Sequence, residues 1–561
     1  MQSDSVTVSR ASTATIDGKD RRWSRLAWPA GFAAGAIVLF WVYYLQSART
    51  TYLNSDGASN ALQAWAMLHG NVLLHGWTVS DVSFYTTELP QYALVEAIRG
   101  LTPQVVHICG AMSYALLVVL AAIVAKGRAT GRRALVSAGV AAVIMLAPQL
   151  GSATGLLLLS PDHVGTGVPL LVAWILVDRA DPEAGWQRWV APVAVGLILA
   201  WTAVGDQLAE VIAALPLLLA CGLRVLRARV GGVPLRKLGY ELWLAAAAIL
   251  CVPLAWLGVK LISALGGWTI SAPRTGLASS GVLGRNLQLA GSGLLQLFGA
   301  NFYRIQSDTQ NVFAVLHMAG LALAAWGLLL AVRRYFSQDL IVQVLVLAIA
   351  VNIAAYIFTV QAQNMATTRE IASVLPFGAA LAGRMLAEPL LGTRRARGRA
   401  HALVAPGRMI AGLTAVGVLA ACYAVMLGYN ASRSEPADPL AKVASWLVAQ
   451  HLRQGLGGYW QSNIITLETD GAVQVRAIDI NADKLTTGAY WEADSAWYDP
   501  RTAAADFILT FPPNWHPREP GLLVNKMETL AGKPVKTYFY GAYTISVWRQ
   551  NLVPRLTQIP G

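Results

Sequence analysis

The stretch AWPAGFAAGAIVLFWVYYLQSARTTYLNSDGASNALQAWAMLHG, residues 27–70, decides how the rest of the chain is read. Its first part, 27–46, is an unbroken apolar run, and at about 1.5 Å per helical residue it crosses a hydrocarbon core about 30 Å thick. The run is too long for a signal-peptide core and is followed by no A-x-A cleavage site, so it is expected to remain as a signal anchor. Just beyond it Asp56 stands as a plausible N-cap of the amphipathic segment DGASNALQAWAMLHG, which is expected to lie along the membrane surface.

Working outward, comparable runs recur at 106–125, 134–149, 164–178, 190–204, 208–223, 242–265, 312–332, 340–358, 371–387 and 409–429, which makes about eleven spans. The composition agrees. The 561 residues are 55% hydrophobic and only 13% charged, and the mean hydropathy is +0.48, which excludes an ordinary soluble domain. The formal charge of +13 does not indicate nucleic acid, because the basic residues gather in short stretches between apolar runs. Arg21, Arg22, Arg132, Arg133, Arg333, Arg334 and the run TRRARGR at 393–399 fall in the N-terminus and alternate loops, which places the N-terminus in the cytoplasm.

An odd number of spans then carries residues 430–561 outside. That tail has 12 basic and 12 acidic residues and alternating stretches such as AVQVRAIDI and YTISVWRQ, which predict strands in a small α/β or α+β domain. The expected organisation is a basic cytoplasmic tail (1–26), a multi-spanning domain (27–429) and an extracytoplasmic soluble domain (430–561). A second surface helix is predicted from Pro90 in PQYALVEAIRG, and a third in VLGRNLQLAGSGLLQLFGANF at 282–302. Cys109, Cys221, Cys251 and Cys422 all fall in apolar segments and read as small buried hydrophobes.

Candidate chemistry lies at the outer ends of the spans. Asp56 is either a helix cap or a carboxylate placed to deprotonate a hydroxyl. Glu88, in FYTTELPQY, is held between aromatics at the aqueous edge or is a solvated loop acid. Asp162 and His163, in SPDHVGTG, suit contact with a substrate or a divalent cation, and capping is the alternative. Asp206, in AVGDQLAE, reads first as a turn residue and also as a substrate or metal contact. Lys260, Arg274 and Arg369 are cations at the depth of a lipid phosphate; Lys260 could instead snorkel, and Arg369 could pair with Glu370. The chain has no G-x-x-x-x-G-K-[ST], H-E-x-x-H or G-x-S-x-G motif, which argues against ATP coupling.

In their order and sidedness these features resemble the GT-C superfamily of membrane glycosyltransferases, over roughly 27–430. The likeness is to the branch holding protein O-mannosyltransferases and the lipid A aminoarabinose transferase. It is carried by an N-in first span, a long outer loop with NSDG (Asp56) and TTEL (Glu88), SPDH (Asp162) in the next outer loop, and TTREIASVLPFGAALAGR (Arg369) at a late span. The resemblance implies a polyprenyl-phosphate sugar donor, used on the extracytoplasmic face with inversion at the anomeric carbon. The acceptor would be a cell-envelope glycan, lipid or protein, and the setting a bacterial cell membrane. It implies that Asp56 is the general base, that Glu88 and Asp162 orient acceptor or donor, and that Lys260, Arg274 and Arg369 bind the departing phosphate. The family's Asp-Glu pair is a single Asp here and D-x-D is missing, so acceptor type and any divalent metal stay open. The tail could bind the acceptor, while GLGGYW (455–460) and WYDP (497–500) also read as turn and core aromatics. A transporter or lipid flippase, a lipid-diphosphate-dependent glycan polymerase or ligase, and a structural membrane subunit are the competing classes.

Overall fold

The computed structural model describes residues 14–149, 154–183, 185–271, 275–302, 307–392, 406–481, 484–487, 491–510 and 524–557. Arg274 and the basic run 393–399 lie outside the described residues.

Each of the eleven apolar runs falls on a helix: α1 (Ala14–Thr50), α4 (Gln104–Lys126), α5 (Gly131–Met145), α6 (Gly167–Arg179), α7 (Gln187–Gly205), α8 (Leu215–Val230), α9 (Gly239–Ala264), α11 (Asp308–Arg333), α12 (Leu340–Phe358), α13 (Val374–Leu390) and α14 (Pro406–Ala431). The described residues contain eight helices long and apolar enough to cross a membrane, or nine when the turn Met365–Ile371 is joined to α13 across a 47° bend. The expected count of eleven differs because α5 and α6, with 15 and 13 residues, are too short to span as helices alone. Between them lies a π-helical turn, Gly155–Leu159, followed by irregular backbone at 160–166 that is buried in protein. Irregular backbone is tolerated in such surroundings only where protein groups replace water.

Helix α4 is central, packed against α1, α5, α6 and α13. Gly110 lets the π turn approach closely: a Cβ there would lie 2.2 Å from the Leu158 carbonyl oxygen. That contact fixes the height at which the segment carrying Asp162 and His163 leaves the helix. The outward faces are apolar, as in Leu250, Leu254, Leu257 and Leu261 of α9, which suits lipid.

The first outer loop folds into α2 (Ser55–Leu68), strand β1 (Trp77–Val79) and α3 (Leu89–Arg99). These elements bury Leu62, Trp77, Tyr92 and Val95 together with Val105 and Cys109 of α4. The same cluster takes in Ile464 and Leu467 of α16 (Tyr459–Glu468), so the C-terminal region is docked onto the loop. Strands β1 and β6 (Ala493–Asp494) pair antiparallel in register Trp77↔Asp494, and β1 pairs parallel with β2 (Thr269–Ile270). Helix α10 (Leu283–Leu297) lies within the segment read as a third surface helix.

After α15 (Pro439–Ala449), the C-terminal region is built on a six-stranded sheet of order β5-β4-β3-β7-β9-β8. Its members are β3 (Gln454–Gly457), β4 (Gln474–Asn481), β5 (Lys484–Thr487), β7 (Phe507–Thr510), β8 (Lys536–Tyr540) and β9 (Tyr543–Val547). Strands β4, β3 and β7 are parallel and α16 supplies the crossover from β3 to β4; the outer pairs are antiparallel. This is the α/β alternative of the expectation, since a parallel neighbour requires a crossover.

Candidate active site

The site begins at the first turn of α2. Asn54, not Asp56, is the N-cap: it has extended backbone and its side chain accepts from the Gly57 amide at 3.0 Å. Asp56 therefore lies inside the first turn, where the helix N-terminus favours a carboxylate. Its Oδ2 accepts from Arg369 Nη1 at 3.0 Å and its Oδ1 from the Tyr459 hydroxyl at 2.7 Å. One turn along α2, Asn60 Nδ2 donates to Asp162 Oδ1 at 2.8 Å, and Asp162 Oδ2 lies 3.7 Å from the same Arg369 nitrogen. Arg369 thus bridges Asp56 and Asp162. It does not pair with Glu370, because the tight 3-10 turn Met365–Ile371 aims these adjacent side chains at different neighbours.

Those neighbours form a matched set, with Asp162 against Arg369 and His163 against Glu370. His163 Nδ1 is 3.0 Å from Asp206 Oδ2 and its Nε2 is 3.5 Å from Glu370 Oε1. Thr166 donates to the same Asp206 oxygen, and Asp206 Oδ1 accepts from the Leu208 amide at 2.9 Å. The turn role expected of Asp206 is therefore met by one oxygen and the ion pair by the other. Burial alone would lower the proton affinity of His163, but the charges of Glu370 and Asp206 and the hydrogen bond to Asp206 push it up to about 10, against a weaker opposing effect of Arg369. It is an imidazolium at neutral pH. Burial raises Asp206, yet its bonds to His163, Thr166 and Leu208 outweigh burial and hold the carboxyl below the usual range. Asp162 is raised, chiefly by burial and by the charge of Asp56, with Arg369, Ser160 and Asn60 pulling the other way.

Glu88 is fully buried and precedes α3 without capping it. Neither carboxyl oxygen has a hydrogen-bond partner, and a Cβ on Gly165 would lie 2.6 Å from Oε1. Burial drives its proton affinity well above the carboxylate range; the Thr87 hydroxyl and His163 offset this in part, and the Asp206 and Asp162 charges add to it. Glu88 faces the ion pairs with its carboxyl biased toward the protonated form. The solvated-acid alternative fails because the loop is pinned to α7 by Ser83 Oγ donating to Val204 O at 2.9 Å and Phe84 N to Gly205 O at 2.8 Å.

Six described non-glycine residues have positive φ, and three of them, Phe84 (48°), His163 (58°) and Glu492 (46°), are at this site. Such backbone costs on the order of 1–3 kcal/mol each and persists where the surroundings fix it. The Phe84 ring stands edge-on to His163 at 5.4 Å.

Two expectations fall elsewhere. Lys260 is exposed on α9 with its ammonium 5.5 Å from the Trp256 ring, and no ion pair joins it to the cluster among the described residues. Arg274 lies outside the described residues. Among the described residues no group of three or more His, Cys, Asp or Glu could hold a metal ion. The residues offered as metal contacts are committed to each other: both His163 nitrogens face carboxylates, and Asp162 faces Asn60 and Arg369. Cys109, Cys221 and Cys251 are buried free thiols, and Cys422 is free and half-buried.

Sequence reasoning did not assign roles to Asn60, Thr166, Glu370, Tyr459 or Glu492. The signal for Glu370 was its place beside Arg369 at an outer span end. Tyr459 lay in the noted GLGGYW, but nothing local says that it reaches Asp56, 403 positions away.

The fold is shared with solved membrane enzymes. ArnT from Cupriavidus metallidurans in the apo state superposes with a TM-score of 0.53 at 14% identity, over 93% of this chain and 98% of that one. Its form bound to undecaprenyl phosphate gives 0.51 over the same shares. The oligosaccharyltransferase of Archaeoglobus fulgidus, tethered with an acceptor peptide containing the NVT sequon, gives 0.50 at 11% identity, over 87% of this chain and 69% of that chain. Both proteins are GT-C superfamily members, so the resemblance read from the sequence holds at the level of the fold. No family model and no curated protein sequence matches the chain.

Proposed function

We propose that this protein is an inverting glycosyltransferase that moves a sugar from a polyprenyl-phosphate donor to a hydroxyl of a cell-envelope glycan, lipid or protein on the extracytoplasmic face. The observation that carries the reading is Asp56: a carboxylate still partly open to solvent, held in a fixed orientation by Arg369 and Tyr459 beneath a docked C-terminal region. The shared fold supports it, because a GT-C bundle is matched over nearly the whole chain. Residues 1–26, 27–429 and 430–561 would then be the cytoplasmic tail, the membrane domain and the extracytoplasmic domain.

In the proposed reaction Asp56 takes the proton of the acceptor hydroxyl as its oxygen bonds to the anomeric carbon. The bond from that carbon to the phosphate oxygen breaks, and the polyprenyl phosphate leaves with the electron pair. Arg369 orients Asp56 through Nη1, and its other donors can take the phosphate as charge grows there. His163, held by Asp206 and Glu370, keeps a fixed positive charge behind Asp162. A donor already anchored in the membrane suits this face, because nucleotide sugars are cytoplasmic.

The test is release of polyprenyl phosphate from a panel of labelled polyprenyl-phosphate hexoses and pentoses, by detergent-purified wild type and Asp56→Asn, with cell-envelope acceptors. Since Asn54 is the cap, the substitution removes a base and no cap. Turnover by wild type that disappears in a folded Asp56→Asn variant supports the reading. Equal turnover removes Asp56 as the base, and no turnover with any donor favours the transport or lipid-diphosphate classes.

A further inference from the structure

Asp56 is held from below by its own membrane domain and from above by the C-terminal region. The upper contact is a chain of two side chains. Tyr459, first residue of α16, places its hydroxyl 2.7 Å from Asp56 Oδ1 and also hydrogen-bonds to Glu492 Oε2. One phenolic hydrogen cannot serve both oxygens, so one of the two carboxyls must bring its own. Asp56 has a guanidinium on its other oxygen, whereas Glu492 has no cation bonded to it among the described residues. The hydrogen therefore belongs to Glu492, which donates to Tyr459, and Tyr459 donates to Asp56. Burial of Glu492 (4% exposed) and the charge of Asp56 act in the same direction.

The chain is built rather than incidental. The Ser55 hydroxyl donates to the Tyr459 carbonyl at 2.7 Å, anchoring α16 to the first turn of α2. Glu492 sits at positive φ directly before β6, whose pairing with β1 sets the direction of its side chain. Trp460 packs edge-on to Tyr459 with ring centres 5.1 Å apart.

We propose that Tyr459 and Glu492 are positioning residues for Asp56, so that the catalytic site is complete only with the C-terminal region docked and its Glu492-to-Tyr459-to-Asp56 hydrogen-bond chain intact. The proposal rests on the reading of Asp56 as the base. Groups that titrate or carry charge around Glu492 are Tyr459 of α16, Asp56 of α2, Asp162 of the 160–166 segment and Arg369 of the 365–371 turn. Where rising pH ionises Glu492 it becomes an acceptor, and the Tyr459 hydrogen is drawn away from Asp56.

The test uses the full chain and the polyprenyl-phosphate panel. Tyr459→Phe and Glu492→Ala are expected to lower kcat by roughly 10- to 100-fold with KM changed less than about threefold, the cost of a misaimed catalytic group. Glu492→Gln should recover most of that loss, because its amide also donates to Tyr459, and should lack any fall in kcat that ionisation of Glu492 causes as pH rises. Wild-type kcat in Tyr459→Phe and Glu492→Ala overturns the proposal, as does Glu492→Gln behaving like Glu492→Ala. Tyr459→Phe removes a single oxygen, so it guards against a Glu492→Ala chain that fails to fold. A readout independent of turnover is the infrared carbonyl band of a protonated carboxyl at neutral pH in the wild-type minus Glu492→Gln difference spectrum, where the buried Glu88 and Glu96 cancel, a band shifted in Tyr459→Phe. Absence of that band overturns the chain even if Asp56 is the base, whereas wild-type turnover by Asp56→Asn removes Asp56 as the base and with it the role given to Tyr459 and Glu492.

Discussion

Replacing His163 by Asn removes a buried cation while leaving the backbone in a conformation that Asn adopts readily, since residue 163 has a φ of 58°. The proton affinity of this imidazole rises from 6.5 in the unfolded chain to about 10 in the fold, despite burial, because Glu370 and Asp206 face it. By linkage such a rise is worth up to about 5 kcal/mol of folding free energy. The sign follows from proton counting: the folded state binds the proton more tightly, so the contribution is complete below pH 6.5 and is lost progressively as pH climbs to about 10. Glu88 and Glu492 also hold protons more tightly when folded and lose stability in the same direction, but both remain in the variant. The difference between wild type and His163→Asn therefore reports the imidazole together with the carboxyls it faces, Asp206 and Glu370. Denaturant unfolding in detergent micelles, from pH 6 to 10.5, should find the variant less stable at pH 6 and the gap closing toward pH 10. A gap that stays constant or widens with pH would refute the ion triad.

A Cβ on Gly165 would lie 2.6 Å from Glu88 Oε1 and 3.1 Å from its Cδ, so Gly165→Ala should cost about 1–3 kcal/mol of stability and lower kcat, by denaturant unfolding and donor turnover. Asn54→Ala removes the cap of α2 and should cost about 1 kcal/mol while lowering turnover far less than Asp56→Asn, which separates the helix end from the chemistry. Glu96 on α3 is buried with both oxygens unpartnered, and burial pushes its carboxyl up to about 9. Its folded-state proton is bound more tightly than in the unfolded chain, so stability falls from about pH 4.5 to about 9, and Glu96→Gln should gain up to about 3 kcal/mol at pH 7 and nothing at pH 4.

The bundle was legible because lipid as a solvent leaves little choice: a run of about twenty apolar residues must be helical to satisfy its backbone. The two short helices were legible as apolar but not as incomplete spans, because the π turn at 155–159 between them is itself apolar. Local signals were weaker at the site. LNSDG offers Asn54, Ser55 and Asp56 as caps of similar quality, and the choice is made by tertiary contacts: Ser55 is spent on Tyr459 and Asp56 on Arg369. The sidedness of the acids was readable because carboxylates are costly inside the bundle, whereas their pairing was not, since Arg369 with Glu370 and Arg369 with Asp56 look alike in a sequence.

Charge arithmetic explains why the pairing matters. Asp56, Glu88, Asp162, Asp206, Glu370 and Glu492 share the cations Arg369 and His163. Two cations cannot neutralise six carboxylates, so Glu88 and Glu492, the members that no cation touches, are the ones that keep protons. Four carboxyls, those of Asp56, Asp162, Asp206 and Glu370, then face the two cations. In the proposed transfer such a surplus of carboxyls suits positive charge that builds on the sugar ring while a hydroxyl loses its proton. In the proposed transfer a departing phosphate would meet Arg369 through the donors other than Nη1, which faces Asp56 and Asp162.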